Sequence, residues 1–314
     1  MPDRRILILV GLLAVSCAAF LFWGLKGRVW FILELRSIKL AALLLVGASI
    51  GVATVMFQTV SGNRILTPAI MGFDALFILL KTSLVFSLGG LGYAQLSGTL
   101  TFVGETGLMM GAAMLLFGSL LNRNRQDIQL MILVGVIFGL LFRSLTSFLQ
   151  RLIDPSEFAM VQGAMFASFG AVDRTELLLS AIICLGAFVW AWRNVAELDV
   201  VALGRGPAQS LGVEYGRFQM RLLAVVAALV AVSTALVGPI TFLGLLAASL
   251  AHAFMRSHRH APLLLSAALI AAITLVAGQT VFERILKLQS TLAIIIEFFG
   301  GALFLYLVAK GKVR

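Results

Sequence analysis

Ten stretches of almost uninterrupted apolar residues follow one another along this chain. They lie at about 6–25, 38–60, 65–88, 100–121, 128–149, 176–192, 219–237, 240–255, 261–278 and 291–309, with a shorter half-apolar stretch at 158–171. A helix that crosses a bilayer needs about 20 mostly apolar residues, so each stretch is long enough, or nearly so, to span. The pattern predicts an all-α fold: a polytopic membrane protein of about ten transmembrane helices, joined by short loops into a single transmembrane domain over 1–314. The first stretch follows Arg4 and Arg5 and looks like a signal sequence, but it lacks a small-x-small cleavage site and reads as the first span.

Charge agrees with this reading. Only 12% of the residues are charged and 61% are hydrophobic, against about 25% charged in soluble domains. Mean hydropathy is +1.05. The net charge of +10 does not point to nucleic acid, because the basic residues sit at the ends of apolar runs and form no stripe. With ten spans both termini lie on one side. If that side is the cytoplasm it receives 14 of the 24 Lys and Arg and the opposite face 8, while Lys81 and Arg143 fall within spans. The bias predicts cytoplasmic termini. A basic pair also opens the second run (Arg36, Lys39) and the seventh (Arg217, Arg221). Those two runs cross in opposite senses, as in an inverted-topology repeat.

Several chemistries are absent or only imitated. The phosphate-cradling string G-x-x-x-x-G-K-[ST] does not occur, so any ATP is hydrolysed by another chain. Cys17 and Cys184 lie in apolar runs without metal or disulfide spacing and read as small buried hydrophobes. Gly47-Ala-Ser49-Ile-Gly51 imitates a serine-hydrolase elbow, yet Ser49 sits in the middle of an apolar helix far along the chain from His252, His258 and His260. The glycines, four apart, are better read as a face where another helix approaches closely. His258-Arg-His260 reads as a solvated basic loop end, with no metal site. Asp74, Lys81, Glu105, Arg143 and Glu297 are ionisable residues within spans, suited either to interhelical pairs or to a polar passage.

The segment that looks most like a working part is the long connection 197–217. Pro207 suits the first position of a helix and Gly212 the left-handed position beyond its end, so a helix of one or two turns fits between them. A helix so short is marginal in water. It presents apolar Ala208 and Leu211, and so should dock into something.

Four motifs then resemble the iron–siderophore and vitamin B12 permease family of type II ABC importers, the FecCD type. They are Arg36-x-x-Lys39 with the Gly-rich span ending at Gln58; Asn63-Arg-Ile-Leu-Thr-Pro68-Ala-Ile-Met-Gly72; Leu203-Gly204-x-x-x-Ala208-x-x-Leu211-Gly212; and Gly238-Pro239-Ile240-Thr-Phe242-Leu-Gly244-Leu245. The chain departs from the family at Arg64-Ile65-Leu66 (usually Pro-Leu-Ala), at Ala248-Ser249 (usually Pro-His) and at Met160-Val161-Gln162-Gly163 (usually Trp-x-x-Gly). These variants resemble the branch serving catecholate siderophores.

The resemblance implies a non-enzymatic permease subunit in the bacterial inner membrane that imports a ferric siderophore, with vitamin B12, haem or another large chelate as alternatives. It implies two ATPase subunits carrying ATP and Mg, a second permease (the same or related), a periplasmic or lipid-anchored binding protein, surrounding membrane lipid, and no cofactor or metal on this chain. It assigns ATPase coupling to Arg205, Gly206, Pro207, Ala208, Gln209, Ser210, Leu211 and Gly212, and binding-protein docking to Arg36, Lys39 and Arg284. A secondary transporter would need a coupling-ion site and a membrane enzyme a convergent polar cluster.

Overall fold

The computed structural model describes residues 2–25, 27–123, 128–170, 172–285 and 292–309. Lys26, Arg125, Lys287, Lys310, Lys312 and Arg314, which enter the charge bias, lie outside them. The helices are α1 (Pro2–Phe22), α2 (Val29–Ser61), α3 (Phe73–Ala94), α4 (Gly98–Arg123), α5 (Ile128–Gln150), α6 (Pro155–Ala164), α7 (Arg174–Arg193), α8 (Val195–Val201), α9 (Arg205–Ser210), α10 (Tyr215–Val237), α11 (Leu243–Met255), α12 (His260–Thr280) and α13 (Leu292–Ala309). A 3-10 turn, Pro68–Met71, precedes α3 and a π turn, Val281–Ile285, follows α12. Among the described residues all regular structure is helical, as a bilayer demands of a backbone that must satisfy its own hydrogen bonds.

Eight helices are long and apolar enough to cross a membrane. The run at 240–255, expected to be a full span, forms the shorter apolar helix Leu243–Met255, whereas the run at 291–309 forms the 18-residue α13. Residues 238–242 explain the first case. Gly238 has φ +97° and Pro239 follows, so α10 ends there and α11 keeps 13 residues. That is about 20 Å of helix against about 30 Å of hydrocarbon.

Helix α2 is the axis of the bundle, with α12, α10 and α11 packed around it. A Cβ on Gly47 would lie 2.8 Å from Ala272 Cα, and one on Gly51 would lie 2.6 Å from Ala267 O, so α2 and α12 touch backbone to backbone. The glycine face read from the sequence is this contact. Between the two glycines Ser49, fully buried, donates to Cys184 Sγ of α7 at 3.2 Å. Cys184 is buried as expected, whereas Cys17 is partly exposed.

Two segments that interrupt the α-helices enter the bundle. Segment 62–72 leaves α2 at Gly62 (φ +61°), takes a hydrogen bond from Gln58 Nε2 on Arg64 O at 2.5 Å, and rejoins helix at Gly72 (φ +90°). A Cβ on Gly72 would lie 2.9 Å from Gly139 Cα, halfway along α5. Segment 238–242 follows α10, and Thr241 Oγ1 donates to Asp74 Oδ2 at 2.9 Å, tying the two interruptions together. Each follows a mostly buried helix and holds one proline, with two glycines of positive φ in the first segment and one in the second. That likeness matches the pairing of the second and seventh runs. Helix α3 breaks again at Gly89 (φ +70°, ψ +166°), where Glu157 of α6 accepts the Gly90 N–H at 2.7 Å.

Replacing Gly51 with Val should force α2 and α12 apart and lower stability in detergent by about 1–3 kcal/mol, the usual cost of overpacking. Gly11→Val, where nothing lies within 4 Å, should stay within about 0.5 kcal/mol. Equal thermal shifts for the two variants would contradict this packing.

Candidate functional site

At one end of the bundle Gly204 (φ +96°) separates α8 from α9. Helix α9 starts at Arg205, two residues before the expected Pro207 start; proline is still tolerated there because first-turn N–H groups have no helical partner. Its far end is as expected. Gly212 has φ +87°, its N–H donates to Gln209 O, and the Val213 N–H donates to Ala208 O, each at 3.0 Å. This paired 5→2 and 6→1 closure is a Schellman motif.

The sequence expectation about its apolar face needs correction. Ala208 is fully buried and belongs to the core of its own chain, whereas Leu211 is 63% exposed. Ala208 faces inward because α9 lies against α8 and α10. The outward surface is formed by Arg205, Gly206, Pro207, Gln209, Ser210, Leu211 and Gly212, with exposed Leu203 beside it.

Helix α8 is tied to the spans through His260, which the sequence reading treated as a solvated loop end. His260 is buried, because it is the first residue of α12 and turns into the bundle. Its Nδ1 and backbone N–H both meet Asp199 Oδ1 of α8, at 2.6 and 2.7 Å. Its Nε2 lies 2.7 Å from Thr59 Oγ1 of α2. The Thr59 hydroxyl also reaches Val55 O of its own helix at 2.8 Å. Asp199, His260 and Thr59 thus form a strut from the helix before α9 to the ends of α12 and α2. With 61 and 201 residues between its members, no local spacing could have revealed it.

The other end collects the predicted docking cations. Arg36 is buried and donates Nη1 to Leu21 O at 2.5 Å and Trp23 O at 3.1 Å, closing the open end of α1. Lys39 pairs with Glu283, which also accepts from Gln279 Nε2 at 2.8 Å and lies 3.9 Å from Arg284 Nη2. The three cations are neighbours at one end, but Arg36 faces its own fold. Nearby Glu34 pairs with Arg174, both exposed. Asp173 caps α7 by accepting the Thr175 N–H at 2.7 Å, and this bond holds its carboxyl below the ordinary aspartate range.

Of the ionisable residues within spans, Lys81 pairs with buried Glu105 at 2.7 Å and donates to Tyr93 Oη at 3.1 Å, joining α3 and α4. Asp74 accepts from Thr241, and Arg143 and Glu297 lie near enough to act on its charge. The interhelical reading therefore holds for Lys81 and Glu105.

A membrane bundle with interrupted helices and a rigid short helix exposed at one end is the build of a transport permease. The chain belongs to the FecCD transport family, whose family description matches residues 7–310. It is 42% identical to the petrobactin import system permease protein YclO of Bacillus subtilis over 98% of both chains. It is 30% identical to the petrobactin permease FatC of Bacillus anthracis, over 90% of this chain and 79% of that one. With the vitamin B12 permease BtuC of Vibrio cholerae identity is 26%, over 98% and 94%. A metal-chelate type ABC transporter solved in an inward-facing conformation shares the fold, with TM-score 0.86, 22% identity, and coverage of 99% of this chain and 100% of that one.

His260→Ala should loosen α8 by removing the imidazole that links Asp199 to Thr59, leaving only the backbone N–H of residue 260 on Asp199, at a cost of about 1–3 kcal/mol. Amide exchange across 195–213 should accelerate while α2 near Gly51 stays protected. Unchanged exchange in both regions would show the strut to be idle.

Proposed function

We propose that this chain is the membrane permease subunit of an ATP-driven importer for a ferric siderophore, with petrobactin as the cargo its 42%-identical relative indicates. The observation that carries the reading is α9: a helix of six residues, fixed by its Schellman closure and the Asp199–His260–Thr59 strut, presents Leu211 outward. An exposed leucine on a rigid two-turn element suits a groove in another protein. On this reading the partner is a pair of ATPase subunits that bind ATP and Mg, and the α9 end is cytoplasmic, as the distribution of basic residues supports.

The remaining parts follow the same reading. Residues 1–314 act as one permease domain without a cofactor, pair with a second permease that is the same or related, and lie in the inner membrane with both termini inside. A periplasmic or lipid-anchored binding protein delivers the chelate at the end opposite α9, near Lys39 and Arg284. Direction comes from the ATPase, which shifts the bundle between states that bind the cargo differently.

Leu211→Glu should reduce uptake of ferric petrobactin at least about tenfold through a buried unpaired charge, while ATP hydrolysis by the assembled complex continues. Ala208→Glu should instead prevent accumulation of the folded permease, because that side chain points into its own core. Gly212→Val should resemble Leu211→Glu, since a β-branched residue disfavours φ +87°. Wild-type uptake with Leu211→Glu would argue against α9 as the coupling element. Labelling of Ser210→Cys by an impermeant thiol reagent added outside intact cells would overturn the orientation.

A further inference from the structure

Helix α5 carries charge where a lipid-facing helix would carry none. Arg143 and Ser147 lie four residues apart, and Arg151 follows four further on, just past the helix end. All three are exposed. They flank the stripe of Gly135, Gly139 and Thr146 by which α5 packs inward. Arg143 makes no hydrogen bond or ion pair among the described residues, although a guanidinium carries five donors.

Arg143 does not simply reach a headgroup. Seven residues separate it from Gln150, about 10 Å at about 1.5 Å per residue. Helical side chains lean toward the helix N-terminus, which for Arg143 is away from the nearer end. Asp74 lies within electrostatic reach of both Arg143 and Glu297. These carboxylates belong to α3 and α13. Helix α5 packs on α3, α4 and the 3-10 turn, whereas α13 packs on α11 and α12. Asp74 also accepts from Thr241 Oγ1 at 2.9 Å, so polar groups gather at this depth. An arginine so deep within a span faces water or protein, not hydrocarbon.

We propose that Arg143, extended by Ser147 and Arg151, is a binding position on the translocation path for the deprotonated oxygen donors of an anionic ferric chelate. This rests on the importer reading above. A ferric ion held by more than three deprotonated oxygens is an anion, and its paired catecholate or carboxylate oxygens match the planar fork of a guanidinium. The site makes the passage selective for anionic cargo, and specificity is then set partly in the membrane.

The test uses the permease assembled with its ATPase, in a background with Cys17→Ser and Cys184→Ala. Ser147→Cys should react with methanethiosulfonates, and the anionic sulfonatoethyl reagent should exceed the cationic trimethylammonium reagent by at least about fivefold, after normalisation to a free thiol. Adding Arg143→Gln with Arg151→Gln should abolish that preference, and Arg143→Lys should retain it. In cells, Arg143→Gln should lower ferric petrobactin uptake at least about tenfold, and Arg143→Lys should restore it only in part, because Lys lacks the bidentate fork. An unreactive Ser147→Cys would mean the face is covered by lipid or by a second permease, and would overturn the proposal. So would equal or faster reaction with the cationic reagent, or wild-type uptake by Arg143→Gln. If the thiol preference holds but the wild-type complex takes up no ferric petrobactin, the cargo reading falls and the anion site stands.

Discussion

The backbone contact between α2 and α12 sets the geometry of the rest. In lipid, helices gain little from hiding apolar side chains from one another, so association depends on close packing and on hydrogen bonds between helices. Gly47 and Gly51 allow α12 to come within van der Waals reach of the α2 backbone. That approach brings the start of α12 beside the end of α2, where His260 meets Thr59. At the opposite end it brings Glu283, just past α12, to Lys39 near the start of α2. One pair of glycines thereby positions polar contacts at both ends of the bundle.

Interruption of helices is the second organising device. A broken span exposes backbone groups that lipid cannot satisfy, and each break here has an identified partner. Glu157 accepts from Gly90, Gln58 donates to Arg64 O, and Val237 O accepts the Ser168 N–H at 2.7 Å. The partners come from neighbouring elements or the preceding turn, so the breaks also fasten α6 and Ser168 to the bundle. The Asp74–Thr241 bond joins two of the interruptions, placing polar groups deep in an otherwise apolar structure.

The sequence made the spans legible because about 20 consecutive apolar residues have few other uses. It also disclosed the close-packing glycines and the left-handed Gly212, each a local requirement on backbone space or dihedral angle. Helix α11 was misjudged in length, since hydropathy does not register that Gly238 and Pro239 stop one helix before another starts. Ala208 was misassigned to the outer face because a helix of six residues is too short to reveal its buried side by period. Arg36 was read as a docking cation, and nothing in its neighbourhood along the chain shows that the carbonyls of Leu21 and Trp23 come to meet it. His260 was missed for a similar reason: its partners come from α8 and α2, and only the folded chain brings them together.

The burial of Ala208 bears on how force passes through α9. Its side chain is fixed in the core, its carbonyl oxygen holds the Val213 N–H, and its own N–H donates to Gly204 O at 3.1 Å. A single residue therefore pins the helix at entry, middle and exit. The helix cannot roll about its own axis without withdrawing that side chain from the core. On the coupling reading proposed above, a push from outside would be passed on as displacement and not as torque, carrying α8 and the start of α10 with it. The short helix would then act as a piston seated in the bundle, its stroke limited by how far the ends of α2 and α12 can yield.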